Sequence, residues 1–284
     1  MEAAIPKKLY IDGDTSGSFG LGEAEYRSVE EARALFAPTI RHCMGRGCRV
    51  ARRRLLTIYN KVCYNSTMNS EQLKSARMAR GWNQQEAANR LGVTQAYLSM
   101  LESGRRSPAR LSRKLMQAYG LSPTVLPVQE VRENATPDFL AHALASLGYP
   151  GFAHLRKTKK TNPADFLLAA LVQDNLEARV AEGLPWLVLR YPDMPREWLV
   201  RESRARALQN RLGFVVTLGR LAAGRDDLRP LEQTLADSKL EKEDSFCKVL
   251  KEGERRWLRV NRSEEAAQWN LLSDMRPETV RYAD

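Results

Sequence analysis

The distribution of apolar and polar positions changes character near residue 68. Before it, no sustained period of two or of 3.6 runs through the chain. Gly and Ser cluster between Asp12 and Gly22, a charged helical stretch is expected from Val29 to Leu35, and the Arg-rich run Arg49-Val-Ala-Arg-Arg-Arg54 leads into irregular sequence as far as Thr67. From Glu71 to Tyr119 the spacing of apolar residues predicts four or five short helices. Pro123 and Pro127 mark a linker running from Leu121 to Ala135. The next helix opens at Thr136-Pro137-Asp138. Thr supplies an N-cap oxygen, Pro fits the first helical position and Asp complements the helix dipole. Asn162-Pro163-Ala-Asp165 repeats that start signal, and from there to the C-terminus the pattern is helical, with no β-alternation.

The later half carries an internal echo. Phe166-Leu-Leu168 and Trp198-Leu-Val200 recur at an offset of 32 residues, and so do the pairs Leu176 with Val180 and Leu208 with Leu212; Leu231 and Leu240 continue it faintly. Two readings fit: a small stacked array of helix pairs, or two ordinary helical hairpins. Both make residues 136–284 an α-helical domain, suited to oligomerisation or partner binding. The apolar stretch Leu184-Pro-Trp-Leu-Val-Leu-Arg-Tyr191 is read as a buried helix with a kink or late start at Pro185, or as a partner-binding surface.

Charge sharpens this division. The 284 residues carry a net charge of +11, unevenly spread. Residues 1–67 hold 11 Lys/Arg against 7 Asp/Glu, residues 68–127 hold 9 against 3, and residues 128–284 hold 25 against 24. The short central segment is the most basic for its length, which favours a nucleic-acid partner. No apolar run approaches the roughly 20 residues that cross a bilayer, and the N-terminus lacks the apolar stretch of a secretory signal. The expected setting is cytoplasmic, with no membrane partner. Two origins for residues 1–67 stand side by side: an upstream mis-start before a true start at Met68, or a genuine basic arm adding phosphate contacts. Either predicts poor order. Cys43, Cys48 and Cys63 with His42 lack the paired spacing of a zinc module, and Cys247 stands isolated in a helical pattern, so no metal and no other cofactor is expected.

The sharpest local signal runs from Gly81 to Pro108. Ala88 is small where two helices must approach. Gly92 suits a left-handed helix end, and Thr94 stands where the next helix needs an N-cap. Val93, Leu98 and Leu101 fall at inward spacings, to form a core with Leu73, Trp82, Leu91 and Leu115; Gly104 and Pro108 end the second helix. This is the layout of a helix-turn-helix, which presents a helix end to the major groove.

On Gly81-Trp-Asn-Gln84, Leu91-Gly-Val-Thr-Gln95 and Leu98-Ser-Met-Leu-Glu102-Ser-Gly104, residues 70–121 resemble the Cro/C1-type (XRE) helix-turn-helix regulators. The resemblance implies an all-α fold with a lambda-repressor-like domain over residues 68–121 and double-stranded DNA as partner. Ala87 departs from the larger aliphatic common in the family, and Trp82 is expected to fill the space. By resemblance, Gln84 and Thr94 donate to phosphates, Gln95, Ala96 and Met100 face base edges, Ser99 adds a polar contact, and Arg105 and Arg106 lie near the backbone. Gln95 suits adenine bidentately. Each also has a plainer reading: a solvated helix residue for Gln95, packing for Met100, solubility for the two arginines. Arg77 and Glu102 match positions that form a structural ion pair. Neutralising about six phosphates would give a slope of log K against log salt near −5, and binding an inverted repeat as a homodimer supplies the specificity one helix lacks.

Residues 136–284 show no nucleophile–base–acid set, no phosphate-cradling Gly loop and no HExxH, so no catalytic residue is expected and the chain is read as not an enzyme. His142 and His154 lie apart among apolar residues, and Lys157-Thr-Lys-Lys160 is a basic loop, solvated or in contact with DNA. Leu184-Pro-Trp186 through Leu208-Gln-Asn-Arg-Leu-Gly213 is similar, less specifically, to regulators found beside AbiEii-type nucleotidyltransferase toxins. The expected function is a transcriptional regulator, a repressor. The alternative is an antitoxin that neutralises a partner toxin through residues 136–284 and represses its own operon.

Overall fold

The computed structural model describes residues 10–13, 19–22 and 68–283. They belong to two compact units, Met1–Asn65 and Ser66–Asp284. In the first, β1 (Tyr10–Gly13) pairs antiparallel with β2 (Phe19–Gly22), Tyr10 opposite Gly22 and Gly13 opposite Phe19. Strands of four residues rich in Gly are too short to register as a period of two, so the hydropathy pattern leaves them invisible. The helical stretch expected from Val29 to Leu35, the Arg49–Arg54 run, His42 with its three neighbouring thiols, and most of the arm expected to be poorly ordered lie outside the described residues.

The second unit is all-α apart from one very short strand pair. Its first four helices are α1 (Ser70–Ala79), α2 (Gln84–Leu91), α3 (Gln95–Glu102) and α4 (Ser112–Tyr119). Leu73, Ala87, Ala88, Leu91, Leu98, Leu101 and Leu115 are buried in one cluster, with Trp82 and Val93 packed half-buried against it. Each enclosed Leu contributes about 1.5–3 kcal/mol over leaving it in water. Trp82 also tilts against Tyr119 with ring centroids 5.6 Å apart, and the Arg90 guanidinium covers it at 4.2 Å. Ala87 is fully enclosed despite its small size.

The linker is tied down along much of its length. Pro123, Thr124, Leu126 and Val131 are buried, and Pro123–Val125 form a 3-10 turn. Asn162, itself enclosed, donates through Nδ2 to the carbonyls of Thr124 (3.1 Å) and Leu126 (2.6 Å). Its Oδ1 accepts from Ala164 N–H, capping the next helix. The start signal seen in the sequence therefore does a second job: it pins the segment between the two helical groups.

Residues 136–284 build α5 (Pro137–Leu147), α6 (Pro163–Leu171), α7 (Ala178–Arg190), α8 (Arg196–Ala205), α9 (Gln209–Ala223) and α10 (Arg229–Ala236). The 32-residue echo falls on two successive helix pairs. Helices α6 and α7 form one pair and α8 and α9 the next; α6 packs on α8 and α7 on α9. Phe166–Leu168, Trp198–Val200, Leu176, Val180, Leu208 and Leu212 are all buried. The echo ends there. Leu231 lies in α10, but Leu240 sits in a loop, its N–H and carbonyl both held by the Asn210 side chain. Helix α7 runs through Pro185 without ending, and Leu184, Pro185, Trp186 and Leu187 are core.

Helix α9 is enclosed nearly throughout. Gly213 makes room for the buried Trp269 indole, and at Gly219 a Cβ would stand 3.2 Å from the Pro185 carbonyl oxygen. Arg211 is buried and four of its five N–H groups are used: it donates bidentately to Asp244 at 2.7 and 2.9 Å and to the carbonyls of Leu171 and Gln173, both at 2.8 Å. The chain closes with β3 (Asp244–Ser245), α11 (Glu252–Asn261), α12 (Glu264–Gln268) and β4 (Leu271–Leu272). The β3–β4 pairing is parallel, and Asn175 bridges Cys247. Two corrections follow: the end of the chain is not wholly helical, and Cys247 sits in extended backbone. Two-residue strands carry no alternation that a sequence pattern could reveal.

Candidate DNA-binding surface

The helix boundaries around the turn are set by short side chains acting on backbone. Asn83 caps α2, accepting from Glu86 N–H, while the Glu86 carboxylate accepts from Asn83 N–H. Gly92 ends α2 at φ +64°, a left-handed conformation that a side chain would strain. Two residues on, Thr94 Oγ1 accepts from Tyr97 N–H at 3.2 Å and starts α3. That leaves its hydroxyl hydrogen free to donate. Gly104, at φ +73°, turns the chain out of α3.

Behind α3 lies a buried ion pair. Arg77 of α1 donates from Nε to Glu102 Oε1 at 2.6 Å and from Nη2 to Oε2 at 3.1 Å, and its Nη1 donates to the Trp82 carbonyl at 2.7 Å. The carboxylate side chain is only 3% exposed. Burial pushes the Glu102 carboxyl up, but the hydrogen bonds from Arg77 and Gln84 outweigh it, and the group ends below the usual carboxylate value. Such a pair fixes the rotation of α3 against α1, because each charge has only one place to go.

The ion pair extends outward. Gln84 Nε2 donates to Glu102 Oε2 at 2.9 Å, and Gln95 Nε2 donates to Gln84 Oε1 at 2.6 Å. A continuous hydrogen-bonded chain thus runs from Arg77 through Glu102 and Gln84 to the first residue of α3. Residue types in sequence give no sign of the two glutamine links, since they depend on the first turns of α2 and α3 lying side by side. Their donors are only half spent. Each primary amide has two N–H groups, so Gln84 keeps one, and Gln95 keeps one together with its carbonyl oxygen.

Thr94, Gln95, Ala96, Arg105 and Arg106 are exposed; Gln84, Ser99 and Met100 are half-buried. Arg106 also lies over the Tyr97 ring, 5.9 Å from its centroid. The eight positions fall on the N-terminal ends of α2 and α3, the outer side of α3 and the loop that leaves it. His142 stands apart from them, its Nδ1 against the Arg156 carbonyl at 2.9 Å, and His154 is exposed. Among the described residues, no cluster of three or more His, Cys, Asp or Glu side chains comes together that could hold a metal ion. No helix among them is long and apolar enough to cross a membrane.

A capped turn, a left-handed glycine and a second helix held from behind define a DNA-binding helix-turn-helix. Comparison with known families agrees: residues 73–126 match the helix-turn-helix family model, which extends into the linker as far as Leu126. The segment is the DNA-binding domain of a transcription regulator. No curated protein and no solved structure matches the chain, so the likeness of residues 184–213 to regulators beside AbiEii-type toxins gains no support.

Proposed function

We propose that the chain is a transcriptional repressor that binds an inverted repeat of double-stranded DNA as a homodimer, acting in the cytoplasm. The observation that carries this reading is the hydrogen-bonded chain from Arg77 to Gln95. It orients the first side chain of α3 before any DNA arrives. In this reading the remaining N–H and the carbonyl oxygen of Gln95 match the N7 acceptor and N6 donor of adenine. Gln84 and Thr94 donate to phosphates at two helix N-termini, where the peptide dipoles also favour an anion. Ala96 and Met100 touch thymine methyl groups, Ser99 adds a polar contact, and Arg105 and Arg106 meet the backbone. Residues 136–284 carry the dimer contact and no catalytic chemistry.

The test selects sites from a random duplex library with the full chain, then compares Gln95→Ala. An inverted repeat with half-sites about one helical turn apart is expected. The variant should lose about 1–3 kcal/mol of discrimination at one base pair per half-site while keeping non-specific affinity. Selection of no sequence at low salt, or an unchanged preference in Gln95→Ala, would refute the assignment.

A further inference from the structure

The basic loop Arg156–Lys160 belongs to the C-terminal helical group, yet it is fastened to the DNA-binding domain. Its backbone is held at three points. The Arg156 carbonyl meets His142 Nδ1 at 2.9 Å, Thr158 N–H donates to Ser146 Oγ at 2.6 Å, and Arg113 of α4 donates from Nη1 to the Lys160 carbonyl at 2.9 Å. The side chains of Arg156, Lys157, Lys159 and Lys160 are all exposed, and none makes an ion pair among the described residues. A merely solubilising run needs no such fastening.

The location is equally telling. The loop after α3 carries Arg105 and Arg106, and a 3-10 turn, Ala109–Leu111, follows it. Arg110 and Arg113 then line one cleft together with Thr161 and Asn162. Lys114 reaches back toward the α2–α3 turn, its Nζ 3.9 Å from where a Cβ on Gly92 would stand. Cations therefore continue from the α3–α4 loop, along the first turn of α4, into the lysine loop. The carboxyl that lines the same cleft, Asp165, is held protonated well above the usual range by burial, so it offers little opposing charge at neutral pH.

We propose that Lys157, Lys159 and Lys160 form a second DNA-contacting element, which grips the phosphate backbone beside the segment engaged by the helix-turn-helix. The proposal rests on the DNA-binding reading and deepens it: the C-terminal helical group adds to the footprint directly. Recognition is purely electrostatic, since lysine ammonium groups on an exposed loop offer point charges and no base-reading geometry.

The experiment measures affinity of the full chain for a duplex of about 30 base pairs and arbitrary sequence across a salt series, since phosphate contacts do not depend on sequence. The comparison is a triple variant, Lys157→Gln, Lys159→Gln and Lys160→Gln. All three side chains are exposed, so the melting temperature should not move. The slope of log K against log salt should become shallower by about 2 to 3. On a duplex chosen by site selection, hydroxyl-radical protection outside the half-site should disappear while base preference stays the same. An unchanged slope and footprint in a chain that still binds DNA would overturn the lysine element and leave the helix-turn-helix reading intact. A parent chain that binds no duplex at low salt would overturn both. A second variant, Arg113→Ala, releases the Lys160 carbonyl without removing a loop lysine. Because Arg113 is itself a cation of this track, the slope should become shallower by more than the ~0.9 that one lost phosphate contact explains, and a change of about 0.9 or less would count against the fastening.

Discussion

Replacing Asp165 with Asn should make the stability of this chain less dependent on pH, with the largest gain in neutral and alkaline solution. Asp165 stands in the first turn of α6, where its Oδ1 accepts from Gln129 N–H at 2.9 Å. Burial raises its pKa from 3.8 to about 8, against the lowering effect of that hydrogen bond. The folded chain thus keeps a proton that the unfolded chain has released. A raised carboxyl stabilises the fold fully below about pH 4, and the contribution is lost as pH climbs to about 8, at about 1.4 kcal/mol per pH unit. At about pH 7 the loss reaches about 4 kcal/mol, and the N-terminal dipole of α6 offsets up to about 1 of that, leaving about 3 kcal/mol. Asn keeps the oxygen that Gln129 needs and has no charge to bury. Urea midpoints of parent and variant over about pH 4 to 9 read the effect. The gap between them should widen by about 3 kcal/mol from about pH 4 to pH 7 and level off above about pH 8. A gap that stays constant over that range would mean that the folded carboxyl is ionised at neutral pH, and the argument would fail.

Three further outcomes follow from the buried ion pair and the packing. Glu102→Ala leaves Arg77 buried without its carboxylate and should cost about 3–5 kcal/mol in denaturant unfolding; a loss below about 1 kcal/mol would show that water reaches the pair. Because the Glu102 carboxyl is held low, its stabilising effect is present above the unfolded pKa and should fade in the parent chain as the solution is acidified through the folded one. Gly213→Ala drives a methyl into the buried Trp269 ring and should cost about 1–3 kcal/mol, with a change in tryptophan fluorescence. An unperturbed melting temperature in that variant would refute the packing of α12 on α9.

The sequence is informative wherever one residue type answers one backbone need. Gly92 before Thr94, and Pro137 and Pro163 behind their capping residues, mark helix boundaries because left-handed φ, N-cap oxygens and a missing N–H are local matters. The offset between Phe166 and Trp198 is legible because both trios are apolar side chains buried near the start of a helix. Legibility stops where the requirement is long-range. Leu240 continues the 32-residue echo in sequence, but Asn210 holds it in a loop from 30 residues away. The parallel pair Asp244–Ser245 with Leu271–Leu272 is too short to leave a pattern. Nothing near Arg211 in the sequence points to the Asp244 carboxylate and two carbonyls that close around it.

The candidate DNA-binding surface divides along the same line. Sequence by itself determined that a capped turn stands between two short helices, that the surrounding segment is the most basic for its length, and that residues 136–284 are mostly helical. Those properties are written in neighbouring residues and in charge, which folding does not change. Tertiary structure decided that Gln84 and Gln95 share one hydrogen-bonded chain with the Arg77–Glu102 pair, that Asn162 clamps the linker, and that the lysine loop lies against α4. Each of these joins groups on different elements, through hydrogen bonds that exist only once the helices have packed.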